Sequence, residues 1–116
     1  MQKENDRQID YIEFPATDIG ATKQFYETVF GWKFEDYGPG YTSFMDGRLA
    51  GGFTTAARVA AGGALVVIYA IDLHTMVSAV KAAGGKIVKD IFEFPGGRRF
   101  QFTDPNGNEL AVWSDK

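Results

Sequence analysis

The chain has 116 residues, of which 45% are hydrophobic and ten are phenylalanine, enough for one hydrophobic core and a single domain spanning 1–116. A formal charge of −3 leaves no basic stripe for a nucleic acid, and the absence of cysteine removes disulfides and thiolate chemistry. No apolar run approaches the roughly 20 residues of a membrane span, and no secretory core precedes Ile9, so the expectation is a cytoplasmic protein with neither nucleic acid nor membrane as partner.

Met1–Gln8 is polar and reads as a frayed tail. Ile9–Ala16 then alternates Ile12, Phe14 and Ala16 against Tyr11, Glu13 and Pro15, the period of two that marks a strand. Asp18 stands where a helix N-cap belongs, and Ile19, Thr22, Phe25, Tyr26, Val29 and Phe30 follow as one helical stripe. Gly31 suits the left-handed residue that ends a helix, and Trp32–Tyr37 resumes as a strand. Gly38-Pro39-Gly40 is a turn. Two strands follow, Tyr41–Met45 and Leu49–Thr54, joined by Asp46-Gly47, with Gly51-Gly52 marking a bulge or a close approach to the backbone. Ala56–Gly63, small and glycine-ended, reads as a linker.

The pattern then starts again. Asp72, Gly85 and Asp90 repeat Asp18, Gly31 and Asp36 at a constant offset of 54 residues, and Leu73, Met76, Val77, Val80 and Ala83 form a second helical stripe. The strand Leu65–Ala70 precedes it, and Gly84-Gly85 closes it. Glu93–Arg98 reads as a loop, followed by the strand Arg99–Thr103, the tight turn Asp104-Pro105-Asn106-Gly107-Asn108 and the strand Glu109–Trp113. The chain is therefore an α+β protein of two βαβββ modules, about 9–55 and 64–114, joined by a linker at 56–63. Two short modules leave sheet edges to cover, which points to a homodimer.

Phe25-Tyr26 with Val29-Phe30-Gly31-Trp32, and the late Asp104-Pro105-Asn106-Gly107-Asn108 before a strand, resemble the vicinal oxygen chelate superfamily of glyoxalases, bleomycin-resistance proteins and extradiol dioxygenases. The similarity runs from about Ile9 to Ser114 and is nearest to the small glyoxalase-like subgroup. It implies eight strands in an open, barrel-like sheet around a cavity, with helices outside and a dimer as the common assembly. It also implies four metal-ligand positions, on the first and last strands of each module. Counted back from the capping aspartate and forward from the turn glycine, these fall on Tyr11, Leu65, Gly51 and Ala111. Three of the four offer no donor atom, so no metal and no other cofactor is expected.

The only histidine, His74, falls in the first turn of the second helix, so no Ser-His-Asp or Cys-His arrangement is available. The glycine pairs at 51-52, 84-85 and 96-97 do not sit between a strand and a helix as a nucleotide fingerprint requires. If Ile12, Phe14 and Ala16 face the helix, then Tyr11 and Glu13 face the cavity, in company with Gly51, Leu65, Val67, Tyr69, Ala111 and Trp113. Whether Phe100 and Phe102 or Gln101 and Thr103 join them is open. Arg48, Arg98 and Arg99 stand where they could hold an anion at the rim, or be solvated turn residues and ion-pair partners.

Two functions follow from that set. One is a metal-independent enzyme, lyase- or isomerase-like, acting on a small organic ligand, with Glu13 as acid/base and Tyr11 or Tyr69 donating a hydrogen bond. The other is a protein that binds or sequesters a small molecule without turning it over. Glu13 is expected at the polar centre of the cavity, where a buried carboxylate must meet a donor or keep its proton.

Overall fold

The computed structural model describes residues 6–60 and 63–116. The tail expected over 1–8 and the linker expected over 56–63 therefore lie partly outside the described residues. The elements run β1 (Tyr11–Pro15), α1 (Ile19–Phe30), β2 (Lys33–Asp36), β3 (Tyr41–Met45), β4 (Ala50–Thr54), β5 (Val66–Tyr69), α2 (Leu73–Ala82), β6 (Lys86–Phe94), β7 (Gly97–Thr103) and β8 (Glu109–Ser114). Each module is one βαβββ unit. Its strands form a four-stranded sheet, ordered β1-β4-β3-β2 in the first and β5-β8-β7-β6 in the second. The first strand of each module is an edge strand, parallel to the last strand beside it. The barrel is not closed, because β1 and β5 belong to separate sheets.

Local chemistry sets the helix ends. The Asp18 carboxylate accepts the N–H of Ala21 at 3.0 Å, and Asp72 accepts that of Thr75 at 3.2 Å, each satisfying a donor that the first turn leaves free. Gly31 adopts φ 74, as its place after α1 suggested. In the second module the left-handed residue is Gly84, not the offset-matched Gly85. Gly84 and Gly85 donate to the carbonyls of Lys81 and Val80, a Schellman closure. The segment 93–98 is corrected from loop to hairpin: Glu93 pairs with Arg98 and Phe94 with Gly97, leaving only Pro95-Gly96 to turn. Gly96 has φ 108, which a side chain would resist, and Pro95 supplies the fixed φ before it.

The core is aromatic. Tyr26 stacks on Trp32 with ring centroids 4.7 Å apart, Trp32 on Phe44 at 4.5 Å, and Phe14 on Phe53 at 5.2 Å. Phe25 and Phe30 of α1 also reach Phe102 of the second sheet, so α1 belongs to both modules.

The turn after β7 reinforces that connection. The Asn106 side-chain oxygen accepts the backbone N–H of Thr17 at 2.8 Å, and its amide donates to the Thr22 hydroxyl at 2.9 Å. Asn108 donates to the Pro15 carbonyl at 2.8 Å. Buried Asp104 accepts the N–H groups of Asn106 and Asn108, each at 2.9 Å, and the Tyr26 hydroxyl at 2.8 Å. Desolvation first, and then the Asp104 charge, push the Tyr26 phenol well above its usual range.

Candidate functional site

The register divides each sheet into two faces. Ile12 and Phe14 align with Gly51 and Phe53 of β4, which align in turn with Phe44 and Thr42 of β3; this face meets the core. Tyr11 and Glu13 align with Ala50 and Gly52, and Ser43 and Met45 complete the opposite face. The parity expected for Glu13 and Tyr11 is therefore the observed one.

For Gly51 it is not. Gly51 lies on the core face, where a Cβ would run into the Ile12 carbonyl and the Phe44 ring. Gly52 is the residue beside Glu13. The second module makes the same point, since Val67, 54 residues after Glu13, aligns with Ala111. Counting from the turn glycine fails because Gly47 directly follows its aspartate, whereas Gly107 stands three residues after Asp104.

In the second sheet Val67 and Tyr69 share a face with Ala111, Trp113, Gln101 and Arg99. Phe100 and Phe102 turn to the core, fully buried, which settles the parity of β7. Tyr69 donates to Asp115 at 2.7 Å, which raises the phenol and lowers the carboxylate. It is not the donor to Glu13.

That donor is Tyr41, which the sequence reading missed. Its hydroxyl lies 2.9 Å from the Glu13 carboxylate and 2.5 Å from the Tyr11 hydroxyl. Desolvation, followed by the bonds to Tyr11 and Glu13, raises the Tyr41 phenol far above its usual range. Tyr41 thus holds its proton and bridges a carboxylate to a second phenol. Both hydroxyls lie over Gly52, where a Cβ would displace that of Tyr41 and approach that of Tyr11 to 2.7 Å. The sequence did carry a signal for Tyr41: it alternates with Thr42 and Phe44, opposite the apolar set.

Glu13 is exposed, as is Tyr11 at 42%. The expected burial of Glu13 at the centre of a cavity is therefore corrected: within one chain this face of the sheet is open. Two clefts run along the seam between β1 and β5. One, of about 750 Å³, is lined by Phe14, Phe30, Trp32 and Phe44, with Val67, Tyr69, Trp113 and Arg48. The other, of about 690 Å³, is lined by Glu13, Leu65, Arg58, Gln101 and Glu109 among others. Gly51 and Ala111, both buried, line neither.

The corrected ligand positions are Tyr11, Gly52, Leu65 and Ala111, one phenol and three side chains without a donor. Among the described residues no cluster of three or more His, Cys, Asp or Glu could hold a metal ion. The donor set does not fit a transition metal. His74 is exposed in the first turn of α2, away from both clefts.

Paired βαβββ modules, each with parallel outer strands and a helix against its sheet, define the glyoxalase-like fold. Residues 8–112 match the family model of the Glyoxalase/Bleomycin resistance protein/Dioxygenase superfamily, and the chain belongs to that superfamily. A glyoxylase-like domain-containing protein from Didymella fabae is 33% identical over 90% of this chain and 91% of its own length. In fold, the chain is similar to a glyoxalase/bleomycin resistance protein/dioxygenase family enzyme from Burkholderia phytofirmans (TM-score 0.81, 20% identity, 93% of this chain and all of that one). It is also similar to the fosfomycin resistance protein FosX from Mesorhizobium loti (TM-score 0.73, 15% identity, 93% and 92%). Among the described residues no helix is long and apolar enough to cross a membrane.

Proposed function

We propose that the chain is a metal-independent enzyme acting on a small organic compound, and that a second copy of the chain completes its site. The observation that carries this reading is the Glu13–Tyr41–Tyr11 relay, a carboxylate joined through one phenol to another at 2.9 and 2.5 Å. Glu13 accepts a proton from substrate or returns one, and the Tyr11 hydroxyl, which in the free protein donates to Tyr41, turns to donate to the substrate oxygen that gains charge. Proton exchange of this kind serves a lyase- or isomerase-like reaction and needs no metal. Glu13 lines the second cleft, and the aromatic cleft, which shares Ile12, Phe14 and Val66 with it, supplies the apolar wall that small-molecule sites generally have.

The dimer rests on exposure. Tyr11, Met45, Leu65, Val67 and Tyr69 are each between 36 and 47% exposed, on the sheet faces that carry the candidate residues or beside them. A second copy laid over these faces removes that surface from water and desolvates Glu13. The aromatic lining also favours a second reading, a protein that binds a hydrophobic compound without turning it over.

A thermal-shift screen of metabolites, followed by mass spectrometry of the hits, separates the two. Turnover of a hit by the wild type, lost in Glu13→Gln and Tyr41→Phe with the fold intact, supports the enzyme. Hits that bind all three proteins equally, with no product, overturn it. Sedimentation equilibrium at micromolar concentration tests the assembly, and the mass of one chain only would overturn the dimer.

A further inference from the structure

Arg99 is the one described residue with a buried polar side-chain atom that has no hydrogen-bond partner. Its Nε has no contact with solvent and no acceptor. Nor does any carboxylate among the described residues lie within ion-pair distance of its guanidinium, since the ion pairs there are Arg7–Asp6 and Lys23–Asp36. Asp115, two residues beyond the Trp113 that pairs with Arg99, is engaged elsewhere, accepting from Tyr69 at 2.7 Å. A half-buried cation with an idle donor is costly unless something answers it.

The surroundings hold the guanidinium in place without neutralising it. Its central carbon lies 5.3 Å from the Phe92 ring centroid and 5.8 Å from that of Phe94, so two aromatic faces fix its plane. Arg99 aligns with Trp113, and Trp113 with Tyr69, so one row across the sheet reads Tyr69, Trp113, Arg99, Phe92. Trp113 sits edge-on to Tyr69 at 5.3 Å and tilted against Phe94 at 6.3 Å. Tyr69 and Trp113 also line the aromatic cleft. The row is thus a half-open aromatic platform around one unanswered planar cation.

We propose that Arg99 anchors the carboxylate of an aromatic or cyclic apolar acid whose ring lies along Trp113 and Tyr69. The planar guanidinium fork, with no acceptor among the described residues on any of its nitrogens, presents parallel N–H donors at the spacing a planar carboxylate accepts. The flanking rings suit a flat apolar body. This names a substrate class for the cleft and rests on the reading of that cleft as a small-molecule site.

The probe is sodium benzoate, with benzamide as the neutral isostere and sodium chloride at matched ionic strength. The readouts are the arginine Nε–H resonances of nitrogen-15-labelled protein and tryptophan fluorescence. Arg99→Lys identifies the Arg99 signal and keeps the charge without the planar fork. Benzoate should move that signal downfield saturably and change the fluorescence, while benzamide does neither. Arg99→Gln should weaken benzoate binding by about tenfold or more, and Arg99→Lys by less.

No saturable response to benzoate, or undiminished binding in Arg99→Gln, would overturn the anchor. Equal binding of benzoate and benzamide would also overturn it while leaving the cleft a small-molecule site. If Arg99→Gln instead converts a dimer to a monomer and benzoate never binds, the guanidinium is a subunit contact and the proposal fails.

Discussion

The two modules repeat one another in fold and differ in what their last turns do. In the first, Asp46 accepts the N–H groups of Arg48 and Leu49 at 2.8 and 2.6 Å, and the turn is otherwise exposed. In the second, Asp104 is buried and receives a phenol from α1, while Asn106 and Asn108 bond to the start of that helix and the end of β1. An aspartate that organises its own turn has become, in the other copy, the fastener between modules. Duplicated architecture therefore says little about where stability or chemistry resides. The first module carries the Glu13–Tyr41–Tyr11 relay, and the second carries the fastener and the aromatic row around Arg99.

The largest expected effect contrasts the two aspartates. Asp104→Ala removes acceptors from two backbone N–H groups and a buried phenol and should cost about 2–4 kcal/mol. Asp46→Ala, in water, should cost about 1 kcal/mol or less. Urea unfolding of both variants measures this, and equal losses would dissolve the contrast between the turns. Next come the aligned small residues of the last strands. Gly52→Ala forces a methyl against the Tyr41 hydroxyl and should cost about 1–3 kcal/mol, along with ligand binding if the relay acts as proposed. Ala111→Gly, where a methyl already fits, should cost only about 0.5–1 kcal/mol of backbone entropy.

A smaller effect than that of Asp104 is expected at its partner, Tyr26. Folding raises its proton affinity, so the native state binds that proton more tightly than the unfolded chain does. Its contribution is complete below pH 10, the unfolded value, and declines as pH rises through and beyond it. Tyr26→Phe should lower stability at neutral pH by about 1–1.5 kcal/mol and flatten the alkaline decline. A variant with the wild-type alkaline slope would assign that slope to another group.

Periodicity and capping made the fold legible. Alternation in β1, helical stripes closed by Asp18 and Gly31, and the offset of 54 residues all report local geometry, and local geometry is what a sequence encodes most directly. The site was legible only as far as parity. Glu13 and Tyr11 were placed on the correct face because the strand alternates. Gly51 was misplaced by one residue because turn length sets register, and a slip of one reverses the face. Tyr41 was missed because the pairing of β3 with β4 and β4 with β1 is tertiary. The exposure of Glu13 escaped for a related reason: whether a sheet face is covered depends on what packs over it.

The bonds from Asn106 to Thr17 join residues 89 apart in the chain. Helix α1 is written early in the sequence, yet its first turn is finished by residues near the other end. During synthesis, the leading module therefore emerges with its helix capped by Asp18 but without the bonds to Thr17 and Thr22, which wait until the 104–108 turn leaves the ribosome. Closing so long a loop early is entropically expensive, so folding should be governed by the arrival of the C-terminal turn rather than by the prompt formation of α1. A nascent chain truncated before Asp104 would then hold its first module in a loosened, protease-sensitive form, and synthesis of the 104–108 turn and β8 would tighten both halves together.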